Sequence, residues 1–177
     1  MRDAALDRSA ITNALRQLGR RLAAEGIQGE LFIVGGAAMA LAYDARRFTR
    51  DVDAIFEPKL RIYEVAGELA EELGLPADWL NDGVKGFVVS DPKQGAVFAF
   101  EGLRVQTASP ELMLALKVRA ARLGEDDEDL RVLAELLGLR TAHDVLDLAA
   151  SIIGQRHLTP RAQFLVEEVM QTATPPG

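Results

Sequence analysis

The chain is predicted to be an α/β protein with a helical C-terminal part, on three observations. Apolar runs of strand length alternate with stretches of helical periodicity as far as about residue 107. Beyond Ser109 the strand signals stop and only helical patterns follow. Ala and Leu dominate an apolar fraction of 49%, and aromatics make up only 6%, a balance that favours helix. A length of 177 residues suits one domain, or an α/β unit with a helical annex, and the expected division is 1–107 and 108–177.

Each element has its own signal. Ile11, Leu15, Leu18 and Leu22 recur at helical spacing, so about 8–25 is an amphipathic helix ended by Gly26 and Gly29. ELFIV is a short buried strand stopped by Gly35-Gly36, AAMALAYDA a helix of small residues, and DVDAIF the next strand, closed by Pro58. Ile62, Val65, Leu69 and Leu73 mark a helix over about 60–73. GLPADWLNDGV is a loop with one helical turn around Trp79, which plugs the core or stacks on a base. KGFVVS and GAVFAF are strand candidates, and Glu101-Gly102 turns the chain into LRVQTAS to make a hairpin. Ser109 caps a helix with Pro110 at its first position; it runs through PELMLALKVRAARLG and closes at Gly124. Helices over about 126–137, 141–153 and 160–172 complete the chain.

Composition removes several function classes. Without cysteine there are no disulfides and no thiolate metal sites. The N-terminal segment is charged and amphipathic, unlike a secretory signal, and no apolar run approaches the ~20 residues that span a bilayer. A cytoplasmic protein without a membrane partner is the expectation. A formal charge of −7 speaks against a surface coated by nucleic acid, although Arg46, Arg47 and Arg50, and again Arg16, Arg20 and Arg21, form local basic clusters.

Two segments can carry chemistry. A strand that ends in Gly35-Gly36 and opens a helix presents unpaired backbone N–H groups to an anion, and the missing side chains let a phosphate approach the main chain. The plain alternative is a tight turn that packs a helix closely on a sheet. Asp51 and Asp53, two residues apart in a strand, point to one side. Two carboxylates so close call for a cation, and oxygen-only ligands suit Mg²⁺ or Mn²⁺. Alternatively, Asp51 caps a turn and Asp53 faces water.

In their order, strand, Gly-Gly turn, short helix, basic link and Asp-x-Asp strand, these segments resemble the nucleotidyltransferase superfamily. VGGAAMALAYDARRFTRDVDAIF is similar to the small bacterial nucleotidyltransferases of the abortive-infection toxin group and to related minimal domains. ASPELMLALKVRAARLGEDDEDLRVLAELLGL resembles the same group's C-terminal motif, in which Lys117 and Arg122 match the basic positions and Asp126 and Asp129 the acidic pair. The resemblance implies a nucleotidyltransferase-like mixed sheet with flanking helices and a C-terminal helical bundle. It implies metal at Asp51 and Asp53, catalytic parts for Lys117 and Asp126, and nucleotide contacts from Gly35, Gly36, Arg47, Arg50, Arg122 and Asp129. The reaction implied is transfer of an NMP from an NTP to a hydroxyl of RNA, such as a tRNA 3′ end, or of a protein, with an antitoxin protein as a partner.

The chain departs from the family pattern at three points. Ala37 stands where many members place a hydroxyl after the glycine, Gln106 where a third carboxylate often lies, and Glu125 where an arginine precedes the acidic helix start. An amide ligates a cation through oxygen but is no general base, so Asp126 is the candidate replacement. These departures also support an alternative, a non-catalytic nucleotide-binding or protein-interaction module. His143 and His157 have no second ligand at metal spacing and are expected to be surface or packing residues.

Overall fold

The computed structural model describes residues 5–44, 46–84, 93 and 95–172. They divide into two compact units, the first holding the strands and the second the helices after Ser109. The strand candidate KGFVVS, residues 85–90, lies outside the described residues.

The first unit begins with α1, Arg8–Ala24, capped by Asp7, whose carboxylate accepts the Ala10 N–H at 2.7 Å. Ile11, Leu15, Leu18 and Leu22 are buried along one stripe. β1 (Gly29–Ile33) leads through Val34 into α2 (Gly35–Ala38), which continues as a π-helical turn over Met39–Tyr43. β2 (Val52–Glu57) and α3 (Lys59–Leu73) follow. The loop expected around Trp79 contains a two-residue strand, β3 (Leu80–Asn81), paired in parallel with β2. Trp79 is wholly buried and donates its indole N–H to the Ala66 carbonyl at 2.9 Å, so it packs in the core and offers no face to a base. β4 (Val97–Phe100) and β5 (Leu103–Thr107) form the expected hairpin.

The sheet order is β3-β2-β1-β5-β4, with β1 antiparallel to β2 and parallel to β5. Its two faces differ because the strands alternate. Leu31, Ile33, Val52, Ala54, Leu103 and Val105 are buried on the face covered by α1 and α3. Glu30, Phe32, Asp53, Ile55, Arg104 and Gln106 lie on the other face and are all at least partly exposed. Within this unit the helices thus cover one face of the sheet and leave the other partly exposed.

In the second unit α4 (Pro110–Ala120), capped by Ser109 through the Leu112 N–H at 3.1 Å, packs against α5 (Asp127–Leu136), α6 (Ala142–Ile153) and α7 (Pro160–Thr172). Leu112, Met113, Leu114, Ala115 and Val118 are all buried, so α4 is apolar nearly all round, as a central helix must be. It stops at Ala120, four residues before the expected Gly124. Ala121 takes a left-handed conformation at φ 48°, and the Arg122 N–H turns to the Asp126 carboxylate at 3.2 Å. A tertiary ion cluster, described below, ends the helix there. His143 is exposed and ion-pairs with Asp147 one helical turn away, and His157 is a surface residue that accepts from Arg156.

Candidate active site

The end of the β1–β2 pair carries the features that the sequence pointed to. The Val34 N–H donates to the Asp53 carbonyl at 3.0 Å, which fixes the start of the glycine turn beside Asp53. Gly35 then adopts φ +66°, a left-handed conformation that side-chain-bearing residues avoid. A Cβ built on Gly35 would stand 3.2 Å from Asp53 Oδ2, so the carboxylate reaches into the space the glycine leaves free. Val52 and Ala54 are buried while Asp53 and Ile55 are part-exposed, an alternation that puts Asp53 on the open face; Asp51, expected in the same strand, lies in a bend just before β2 and is part-exposed.

Two residues missed in the sequence complete this corner. Asn81 of β3 pairs with Asp53 in register and donates its amide N–H to Asp51 Oδ2 at 3.0 Å, while its own oxygen accepts the Gly83 N–H at 3.0 Å. Asn81 thus holds Asp51 in place beside Asp53. Thr49 is bonded to Leu6 through the main chain in both directions, at 2.7 and 3.0 Å. Its Oγ1 would be only 2.7 Å from a Cβ on Gly36, and it donates to the Asp51 carbonyl at 3.1 Å. A hydroxyl thus lies next to Gly36, brought by another segment and donating to the main chain of Asp51. Asn81 lies in the segment expected to be a loop around Trp79, and nothing local marked either it or Thr49.

Of the three arginines expected to contact the nucleotide, Arg47 is half-buried and Arg50 exposed, both on the segment between the π-helical turn and β2, and Arg122 follows α4 in the second unit. Gln106 faces the same side as Asp53 but sits in the row of Phe32 and Ile55, two strands from β2, a lateral separation of about 10 Å. Around that row lies a hollow of about 220 Å³ lined by Glu30, Phe32, Ile55, Glu57, Arg104 and Gln106. Among the described residues no group of three or more carboxylate or histidine side chains is placed to hold a metal ion. The donors at hand are the two aspartates. That set fits a hard cation such as Mg²⁺, which takes one or two carboxylates and fills its remaining positions with water and phosphate oxygens.

The second expected group comes together in the second unit, in a different form. Lys117 Nζ lies 2.8 Å from Asp126 Oδ1 and 2.7 Å from Asp129 Oδ2. Arg122 donates Nε to Asp126 Oδ2 at 3.1 Å and a terminal N–H to Oδ1 at 2.9 Å. Lys117, Asp126 and Asp129 are at most 4% exposed. Burial pushes the Asp126 carboxyl up, but the hydrogen bonds from Arg122 and Lys117 outweigh it and hold the group below the usual carboxylate range. A general base needs an accessible oxygen, and both oxygens of Asp126 are taken. Lys117, Asp126 and Asp129, expected as catalytic and nucleotide-contacting residues, thus stand in a buried ion cluster that ties α4 to α5, with Arg122 at its edge.

A family model described as a nucleotidyltransferase of unknown function (DUF6036) matches residues 10–135. The chain belongs to this nucleotidyltransferase family. The match takes in the glycine turn, the aspartate pair and the Lys117 cluster alike. The nucleotidyltransferase is also similar in fold to a solved structure, an antigenic nucleotidyltransferase-like protein from Paracoccidioides brasiliensis. The identity is 16%, the alignment covers 92% of this chain and 95% of that one, and the TM-score is 0.50, a likeness of fold alone. No curated protein matches the chain. No helix among the described residues is long and apolar enough to cross a membrane.

Gly35 provides a local test. Gly35→Ala is expected to cost about 1–2 kcal/mol for its left-handed backbone and to push Asp53 out of the turn. Gly26, at φ +71° with nothing within 4 Å of a built Cβ, is the control. Gly26→Ala should lower the melting temperature similarly and leave nucleotide affinity unchanged, whereas Gly35→Ala should weaken it severalfold by isothermal titration.

Proposed function

We propose that this nucleotidyltransferase transfers an NMP from an NTP to a hydroxyl of RNA or protein. The observation that carries the proposal is the approach of Asp53 to the left-handed turn at Gly35, 3.2 Å from a built Cβ, which aims a carboxylate and a backbone anion cradle at one spot. Asp51 and Asp53 would hold Mg²⁺, or Mn²⁺ in its place. The cation supplies charge neutralisation as pyrophosphate leaves. Backbone N–H groups at Gly35-Gly36 hold the triphosphate. Arg50, exposed on the adjoining segment, and Arg47 offset the outer phosphate charge. The hollow around Phe32, Ile55 and Gln106 receives the nucleoside. In the reaction the acceptor oxygen bonds to the α-phosphorus and the bond to pyrophosphate breaks; the hydroxyl proton passes to solvent. Similarity to the abortive-infection toxin group supports a toxin role with an antitoxin partner as a finer form of this proposal.

One observation favours a second reading, a nucleotide-binding module without transfer: Gln106 occupies the β5 row and no third carboxylate joins the pair among the described residues. Incubation with each α-labelled NTP, Mg²⁺, total RNA and cell lysate separates the two. Label incorporated into a macromolecule is the expected result. Stabilisation by an NTP without incorporation of any label identifies the module.

A further inference from the structure

A groove of about 590 Å³ runs along the outer side of α1, lined by Asp7, Arg8, Ser9, Thr12, Asn13, Arg16 and Phe48. Phe48 is 58% exposed, an unusual position for a large apolar ring. Arg8, Arg16 and Arg20 are all exposed and recur at multiples of four, hence along one face of the helix. Arg8 stands about 12 Å from Arg16 along the axis, and Arg20 about 6 Å further. None of the three has a carboxylate partner among the described residues, whereas Arg21, Arg46, Arg61, Arg122 and Arg131 all do. Asp7, the one acid of the groove, is occupied in capping α1.

The groove adjoins the candidate active site. Thr49, next to Phe48, touches Gly36 and is bonded to Leu6 just before α1. Asp51 is the third residue after Phe48, at most about 11 Å along the chain. A row of unpaired cations beside a bare aromatic ring, in a chain of net charge −7, matches a ligand with regularly spaced negative charges and flat apolar faces. We propose that this groove seats the single-stranded end of an RNA acceptor, its phosphates on Arg8 and Arg16 and, one helical turn beyond the groove, on Arg20, with a base stacked on Phe48. The proposal rests on the transfer reading above and selects nucleic acid over protein as acceptor.

Fluorescence anisotropy with a short labelled single-stranded RNA tests the groove without requiring chemistry. The double variant R8E/R16E should bind at least tenfold more weakly, with a shallower dependence of affinity on salt concentration. Phe48→Ala should lose roughly tenfold with the salt dependence unchanged. Asp53→Asn should bind RNA as the unaltered chain does, and circular dichroism should show all variants folded. RNA affinity that ignores both groove variants, or label that enters protein and not RNA, overturns the proposal. RNA binding that fails in the groove variants, with no transfer by the unaltered protein, would retain the groove and remove the transferase.

Discussion

Asp53→Asn is expected to lower nucleotidyl transfer by at least about a hundredfold while the protein stays folded. The carboxylate is part-exposed on the open face of the sheet, and an amide of nearly the same shape leaves the β1–β2 pairing intact because that pairing uses the Asp53 main chain. What changes is the charge. An amide oxygen is a weaker ligand for a hard cation, and the negative charge that draws the cation toward Gly35 is halved when one member of the pair becomes neutral. Nucleotide binding should fall less than transfer, since the glycine turn and the arginines survive. Asn81→Ala should give a milder phenotype of the same kind, because it frees Asp51 without removing it. A single-turnover assay with an α-labelled NTP measures both variants.

The largest effect on stability is expected from Lys117→Met, about 3–5 kcal/mol. The methionine fills similar space but removes the ammonium that lies within 2.8 Å of both Asp126 and Asp129, two buried carboxylates. Replacing the acids as well, in a Lys117→Met/Asp126→Asn/Asp129→Leu chain, should recover much of the loss, since a buried ion pair replaced as a unit often costs little. Urea denaturation gives both values. The same cluster sets an acid limit. The folded state holds Asp126 below its unfolded value, so its contribution is complete above about pH 4, the ordinary carboxylate range. It is lost as pH falls from there through the depressed folded value. Stability of the unaltered chain should drop on acidification below about pH 4, and the triple replacement should flatten that part of the profile.

How much could be read in the sequence depended on how local each cause is. The periodicities of α1 and α3, the Gly-Gly stop after β1 and the cap at Ser109 act over a few residues, and the helices and strands they mark are in the structure. The convergence of Asp53 on Gly35 also followed from pattern, because an antiparallel pair leaving a glycine turn brings the start of one strand to the end of the other. Thr49 and Asn81 were not legible. Their importance comes from contacts with Gly36 and Asp51, made by segments whose neighbours only the fold decides. The Lys117 group shows a different limit. Its residues do come together in the fold, but lysine and aspartate are ordinarily exposed, so their spacing carried no sign of a cluster closed to solvent. The early end of α4 has the same origin, since Arg122 leaves the helix to meet a carboxylate at its far side.

The most direct measurement is a crystal structure of the chain with Mn²⁺ and a non-hydrolysable NTP, with the cation located by its anomalous signal. The account predicts one peak within coordination distance of carboxylate oxygens of both Asp51 and Asp53, with the triphosphate against the main chain at Gly35-Gly36. A triphosphate bound elsewhere, or a cation that leaves the two aspartates untouched, would contradict it.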